Sequence, residues 1–329
     1  MLDQYARKIE YVRISLTDRC NLRCRYCMPE DGIVKMQRAD MLTFAEILRV
    51  VRALAALGVK KVRLTGGEPL VRRNLTELIY ALRQISGIEQ VALTTNGVLL
   101  PTMAEDLLRA GLTGLNISLD TLQAGTFVEL ARRPLFAQVQ AGMEKVLAMG
   151  MEQVKFNCVP IYEVNDDEIP ALAALAKDYP VKVRFIELMP IGCAYAAGYR
   201  GVPMTEVWAQ LEKAYGRLCP VGKKGDLLQG PAEYYQLAGF AGQVGFIDAL
   251  EHQFCAACNR VRITADGFLK LCLNQKNGLN LRKLLRSGIS DDNLKWALRQ
   301  AVYRKPAEHL FRDSKNTAKD SRAMYQVGG

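Results

Sequence analysis

The sequence predicts an α/β fold, a partial (βα)6 barrel of the TIM type with a C-terminal extension over its open side, and three observations carry that prediction. Strand-like and helix-like segments alternate from residue 10 onward, helix caps and glycines punctuate them, and the residues of chemical interest recur just past the strand ends. Alternation with helical crossovers implies a parallel sheet with right-handed connections, and six units can curl into an open version of the eight-unit barrel. A doubly wound sheet is the alternative fold.

The first strand runs from Tyr11 to Thr17, with Val12, Ile14 and Leu16 on one face and Arg13, Ser15 and Thr17 on the other. Thr43 and Glu46 form a capping box for the next helix, with Leu42 packing on Ile47 and Gly58 closing it. A second strand, Lys60 to Thr65, runs into Gly66-Gly67-Glu68-Pro69, and Asn74 with Glu77 is expected to cap the helix that Gly87 ends. The pattern repeats: a strand from Gln90 to Thr95, the turn Asn96-Gly97, a capping box at Thr102 and Glu105, Gly111, and a strand from Gly114 to Leu119. Strands from Gln153 to Val159 and Val181 to Glu187 flank a helix that begins near Asn165-Asp166-Asp167-Glu168. Past residue 190 the alternation fades into a short helix near Thr205 to Tyr215 and a stretch rich in Gly and Pro around Gly216 to Gly230. Residues Lys305 to Gln326 are polar and are expected to form a loosely held tail. The expected division is a barrel at 1–190 and an extension at 191–329.

With 329 residues, 50% of them hydrophobic, the chain can bury a sizeable core. No apolar run is long enough to span a bilayer and the first residues lack a signal-peptide core, so a cytoplasmic location with no membrane partner is expected. The net charge of +10 points to an anionic partner. Having only His252 and His309 argues against a centre built from several histidines, and nine cysteines, six of them in two clusters, suit thiols that hold metal in a reducing compartment.

The first cluster is Cys20, Cys24 and Cys27, spaced C-x3-C-x2-C directly after the first strand. Three thiols on one loop can hardly pair as two bridges, and they suit a soft metal or an iron–sulfur cluster; zinc would need a fourth ligand from elsewhere. Held by three cysteines, a four-iron cluster leaves one iron open to a small molecule. The motif resembles that of the radical S-adenosylmethionine superfamily, in which the cofactor chelates that iron and is reductively cleaved to a 5′-deoxyadenosyl radical. The second cluster is Cys255, Cys258 and Cys272, spaced C-x2-C-x13-C. It reads either as a zinc ribbon completed by Cys158, Cys193 or Cys219, or as a second 4Fe–4S cluster with an open iron.

The two cysteine patterns, the turn Thr65-Gly66-Gly67-Glu68-Pro69, the run Cys258-Asn259-Arg260-Val261-Arg262 and the terminal Gly328-Gly329 together resemble the GTP 3′,8-cyclase family of molybdenum cofactor biosynthesis, over nearly the whole chain. The resemblance implies a lyase with two 4Fe–4S clusters and S-adenosylmethionine. It implies that Cys20, Cys24 and Cys27 hold the first cluster with Tyr26 beside the cofactor. Gly66, Gly67 and Glu68 would meet the methionine amino group, and Ser118 and Met189 would make further cofactor contacts. It further implies that Cys255, Cys258 and Cys272 hold the cluster that binds the purine of GTP. Arg13, Arg63, Thr94 and Lys155 would be substrate contacts, joined by Arg260, Val261 and Arg262, and the Gly328-Gly329 tail would reach the active site. Arg184 is added by strand alternation, which also places Lys155 and Asn157 on one face; a cation facing a barrel interior is costly unless it meets an anion or water. The implied reaction is hydrogen abstraction from ribose C3′ of GTP and attack of C3′ on purine C8, with no side chain acting as a strong acid or base. The implied partners are GTP, an external electron donor and a downstream cyclic pyranopterin monophosphate synthase; the sequence is compatible with a monomer or a homodimer. A radical enzyme that modifies RNA or a peptide is the rival reading, though 8% aromatic residues and no basic run give no sign of a nucleic-acid surface. A zinc-stabilised nucleic-acid-binding protein is the non-enzymatic one.

Overall fold

The computed structural model describes residues 1–29, 31–196, 198–222, 230–250, 254–311, 320 and 322–328. The strands are β1 (Tyr11–Ser15), β2 (Lys61–Thr65), β3 (Gln90–Thr95), β4 (Gly114–Ser118), β5 (Val154–Cys158), β6 (Lys182–Ile186), β7 (Cys219–Pro220), β8 (Glu233–Gln236), β9 (Gln243–Ile247), β10 (Arg260–Ile263), β11 (Phe268–Lys270) and β12 (Gly278–Asn280). The helices are α1 (Phe44–Ala56), α2 (Leu75–Arg83), α3 (Leu100–Arg109), α4 (Ala124–Ala131), α5 (Phe136–Ala148), α6 (Ile169–Asp178), α7 (Cys193–Ala196), α8 (Met204–Tyr215), α9 (Leu281–Arg286), α10 (Asp291–Tyr303) and α11 (Met324–Val327).

All the described strands join one sheet in the order β12-β11-β10-β1-β2-β3-β4-β5-β6-β9-β8-β7. From β1 to β6 the spatial order is the sequence order and every pairing is parallel. That sequential order is the barrel's; a doubly wound sheet would reverse direction part-way. The extension does more than pack on the opening. It adds β10 in parallel to β1 and β9 in parallel to β6, then turns back with antiparallel strands at each edge. Among the described residues the parallel run is thus eight strands long, β10-β1-β2-β3-β4-β5-β6-β9.

Side-chain alternation gives this sheet two unlike faces. Outward, Val12, Ile14, Val62, Leu64, Leu93, Ile117, Phe156, Phe185, Val244, Val261 and Ile263 are buried in one hydrophobic core with the helices. Each such side chain contributes roughly 1.5–3 kcal/mol by leaving water. Inward, the same strands present Arg13, Arg63, Asn116, Lys155, Asn157, Arg184 and Arg262. The register keeps these in line, with Arg13 opposite both Arg63 and Arg262, and Asn157 opposite Arg184.

The capping box at Thr43 and Glu46 is formed with both bonds present, and Gly58 adopts φ +95°, the left-handed end that glycine favours. Two expected caps are corrected. Asn74 precedes α2 but sits at φ 60° and makes no side-chain capping bond. Thr102 lies inside α3, which starts two residues earlier behind Leu99 with Pro101 in its first turn, so its hydroxyl bonds back to the Leu99 carbonyl. Proline at the helix start outweighed the capping signal. Asn165 does not cap a helix with its side chain either: its amide bonds the Asp120 and Val159 carbonyls and accepts from the Ile161 N–H, stitching the β4 and β5 ends together.

The loose tail is also corrected where it is described. Lys305, His309, Phe311, Ala323 and Val327 are buried, and α11 forms a short docked helix. Residues 312–319, 321 and 329, including Gly329, lie outside the described residues, as does His252. No described helix is long and apolar enough to cross a membrane.

Candidate active site

The inward face closes around a cavity of about 220 Å³ that runs along the strands, from Tyr11, Lys61 and Arg260 at their starts to Ser118 and Ile186 at their ends. Among the described residues its wall carries Arg13, Lys61, Arg63, Lys155, Arg184, Arg260 and Arg262 against two acids, Asp120 and Glu187. Thr94, Ser118, Tyr26 and Met189 line it too, so strand alternation and resemblance converge on one mouth. A smaller chamber of about 130 Å³ adjoins it, sharing Arg13, Met189, Arg260 and Arg262 and lined by Cys255, Cys258 and Cys272. Val261 reaches the smaller chamber's wall, but its side chain is 1% exposed in the outward core, so it packs rather than binding through charge.

Lysine 155 is buried and has no hydrogen-bond or ion-pair partner among the described residues. Burial, then repulsion from Arg184, Lys61, Arg63 and Lys182, brings it down to about 6. Arg184 instead donates to the Asn157 side chain at 2.9 and 2.5 Å. Arg63 Nε donates to the Tyr11 hydroxyl at 2.6 Å and its Nη1 to Thr94 at 3.3 Å. A wall of mutually repelling cations in a desolvated space is a receptor for several negative charges at once.

The first cysteine loop stands at the end of β1. Cys20, Cys24 and Cys27 are free thiols, partly exposed, and the Cys24 carbonyl accepts from the N–H groups of Cys27 and Met28, both at 2.9 Å. Burial first holds all three thiols high, Cys20 at about 11 and Cys27 at about 12, with Glu68 adding to it at Cys20 and neighbouring cysteines adding to it at Cys24 and Cys27. Leu22 N–H and Asn96 Nδ2 donate to the Cys20 sulfur at 3.4 and 3.6 Å, and the Tyr325 backbone N–H, from the tail, donates to Cys27. The Gly66-Gly67 turn packs directly on this loop. A Cβ on Gly67 would stand 2.4 Å from the Arg19 carbonyl, so only glycine fits there.

Glu68 is 1% exposed and already accepts from Leu70 N–H at 3.0 Å, Thr95 Oγ1 at 2.7 Å and Asn96 N–H at 2.7 Å. Burial nevertheless pushes it up to about 7. Expected from the sequence to receive an ammonium, this carboxylate is chiefly a latch between the β2 and β3 ends. About one of its four lone-pair positions is left.

In the second triplet the thiols are not alike, and burial raises Cys255 as it does the first three. Burial alone would raise Cys258, but Arg260 and Lys305 outweigh it and bring the thiol down to about 7. The chamber has no fourth cysteine. Its histidine, His309, faces the Ala249 carbonyl with Nε2 at 2.7 Å and accepts from Phe311 N–H with Nδ1 at 3.3 Å. Cys158 is buried among Asp120 and Asn165 at the β5 end, Cys193 lies near Cys27, and Cys219 is exposed on β7, so none of the three expected as a zinc ligand lines the chamber. Among the described residues the chamber thus offers three thiols and an occupied imidazole, while His252, three residues before Cys255, lies outside them. Among the described residues, no three His, Cys, Asp or Glu side chains converge on a single ion.

The tail joins the two regions. Arg262 Nη1 donates to the Gly328 carbonyl at 2.5 Å, Met324 lines the main cavity, and Gly328, at φ +81°, sits where a Cβ would be 2.5 Å from Thr65 Oγ1. Sequence reasoning missed Tyr11 and Lys61. Both were readable by parity, two residues before Arg13 and Arg63 on the same inward faces. It also missed Asp120, whose carboxylate accepts from the Tyr26 hydroxyl and the Val159 N–H.

Curated relatives match along the whole chain. The GTP 3′,8-cyclase of Syntrophomonas wolfei is 45% identical over 100% of both chains, and that of Clostridium perfringens strain 13 is 44% identical, also over 100% of both. The chain belongs to the GTP 3′,8-cyclase family. Two family models divide it, Radical SAM superfamily at residues 14–176 and Molybdenum Cofactor Synthesis C at 181–311. Membership in the first implies a 4Fe–4S cluster and S-adenosylmethionine. Among solved structures, Streptococcus suis SuiB matches with a TM-score of 0.62 at 15% identity, over 91% of this chain and 67% of that one. SuiB bound to S-adenosylmethionine matches at 0.61 and 17%, over 89% and 68%. At these identities the likeness bears on the fold, and it agrees with the partial barrel. Of the positions expected from the sequence, Tyr26, Thr94, Ser118, Met189 and the cations line the main cavity and Cys255, Cys258 and Cys272 the adjoining chamber, whereas Cys20, Cys24, Cys27 and Gly66 to Glu68 are not part of either lining and Gly329 is not described.

Proposed function

We infer that the chain converts GTP to (8S)-3′,8-cyclo-7,8-dihydro-GTP, the opening reaction of molybdenum cofactor biosynthesis. Residues 1–190 carry the first cluster and 191–329 the second. The observation that carries this reading is the single cationic cavity that opens on one side toward the first cysteine loop and on the other toward the second triplet.

Cys20, Cys24 and Cys27 would hold the first 4Fe–4S cluster, with Tyr26, Gly66, Gly67, Glu68, Ser118 and Met189 around S-adenosylmethionine. Cys255, Cys258 and Cys272 would hold a second, whose open position suits a nitrogen or oxygen of the purine. When bound, the first cluster and S-adenosylmethionine supply the one-electron chemistry that activates an inert C–H bond. The protein's own part is positioning. Lys155, Arg13, Lys61, Arg63, Arg184, Arg260 and Arg262 take the triphosphate, with Thr94 beside them; a purine fixed in the chamber and phosphates fixed on the strands leave the ribose suspended between. Two anchors remove the substrate's rotational freedom before reaction. Docking of α11 and Gly328 over the cavity excludes water, which would otherwise quench a reactive carbon centre.

Anaerobic reconstitution with iron and sulfide, then dithionite, S-adenosylmethionine and GTP, tests this. Two clusters, 5′-deoxyadenosine and a cyclised GTP product are expected together. Cleavage of S-adenosylmethionine with GTP unchanged would overturn the substrate while leaving the radical chemistry.

A further inference from the structure

We propose that Tyr11 is the cavity's built-in counter-anion: its phenolate holds the cationic wall in place while the site is empty and takes a proton from solvent when the substrate's phosphates arrive. The proposal deepens the GTP reading and rests on it.

Tyr11 is 4% exposed and its ring forms part of the main cavity wall. The geometry around it is one-sided. Arg63 Nε donates to the phenol oxygen at 2.6 Å, Lys61 Nζ stands 5.4 Å from the ring centroid and the Arg63 guanidinium 6.0 Å. In the ladder Tyr11 lies directly between Lys61 on β2 and Arg260 on β10, with Arg13 two residues on. Arg184 and Arg262 also feel its charge. The acids of the same cavity, Asp120 and Glu187, are not among the main charges that act on it.

A phenol is the acceptor such a wall can keep without excluding its ligand. An aspartate here would neutralise the wall permanently and repel phosphate. A phenolate gives way: incoming phosphate oxygens supply negative charge to the same cations, the phenolate loses its stabilisation, and it picks up one proton to become a neutral O–H donor. Burial alone would raise the phenol, but Arg63, Arg13, Lys61 and Arg260 outweigh burial and bring it down to about 7, so it is largely ionised at pH 8.

The test is proton-linked binding to the reconstituted enzyme at pH 8 without reductant. Titration calorimetry in buffers of different ionisation enthalpy counts protons taken up, and a near-ultraviolet difference spectrum on ligand addition follows loss of the tyrosinate band while cluster absorption cancels. GTP and inorganic tripolyphosphate are the two probes. Lys155 takes up a proton as well and the nucleotide can release one, so the reading is the difference between wild type and Tyr11→Phe. Wild type is expected to take up about one proton more than Tyr11→Phe and to lose the tyrosinate band; the variant shows no such spectral change. Equal proton counts overturn the proposal, as does a wild-type spectrum unchanged on binding, which needs no variant to fold. If tripolyphosphate gives the proton and spectral change while GTP does not bind, the substrate reading fails and the counter-anion stands.

Discussion

The two cysteine triplets share a residue type and differ in the charge that stands beside one thiol. Around Cys20, Cys24 and Cys27 the partners are backbone N–H groups and the neutral amide of Asn96, and the thiols are held high. Around Cys258 stand Arg260 and Lys305, and that thiol is drawn down to about 7. Ligand count is therefore equal while local charge is not. The difference follows position in the sheet. The first triplet lies on a loop beyond β1; Cys255 and Cys258 precede β10 and Cys272 follows β11, and the inward residues of β10, Arg260 and Arg262, belong to the cationic wall. A site beside fixed cations favours an anionic or electron-rich ligand, and a site lined by dipoles favours a zwitterion such as an amino acid.

The sharpest way to break this comparison is to remove one thiol from each. Cys24→Ala is expected to lose about half the iron and all 5′-deoxyadenosine formation, whereas Cys258→Ala loses the same amount of iron, still cleaves S-adenosylmethionine and makes no cyclised product. Iron and sulfide analysis with product chromatography reads both, and equal loss of cleavage in the two would erase the division of labour. Next in size is Gly328→Ala. An L-residue at φ +81° with its Cβ against Thr65 costs on the order of 1–3 kcal/mol, enough to undock the tail from Arg262 and cut cyclisation roughly 5- to 150-fold, with both clusters retained.

A smaller pair of changes probes the surroundings themselves. Asn96→Ala and Lys305→Met each remove a group that sits behind one triplet, and each is expected to weaken iron retention by roughly 10- to 100-fold at its own site only, measured by chelator challenge. The smallest effect is on stability. Lys155 has a folded value near 6 against 10.5 unfolded, so the folded chain binds fewer protons between those values and its stability rises with pH across that window. Lys155→Met is accordingly expected to raise Tm by a few degrees at pH 7 and by little at pH 10, while GTP affinity falls roughly tenfold or more. Scanning calorimetry at the two pH values would find no difference if the lysine were comfortably solvated.

Much of this was legible because it is local. Parity along β1, β5 and β6 separated Val12, Ile14 and Phe156 from Arg13, Lys155 and Arg184, and the cysteine spacings marked both triplets. Tyr11 and Lys61 obeyed the same parity and were passed over because each alone looks like an ordinary strand residue. The expected caps at Asn74 and Thr102 failed, the first because its backbone sits in the left-handed region and the second because Pro101 lies in the first turn of a helix that starts two residues earlier.

The sequence by itself determined which faces would be apolar and which charged, where metal thiols cluster, and the order of the six βα units, since period, spacing and turn chemistry act over a few residues. Only the tertiary structure decided that β9 and β10 complete the parallel run, that the chain's last residues dock on Cys27 and Arg262, and that two chambers share one cationic wall. Those outcomes join residues distant in the chain, Arg262 with Gly328 66 positions on and Tyr11 of the first strand with Arg260, and they are selected by whole-sheet register and burial. The pull of Arg260 and Lys305 on Cys258, and of Arg63 on Tyr11, comes from the same source: it exists only once folding has brought those charges together away from water.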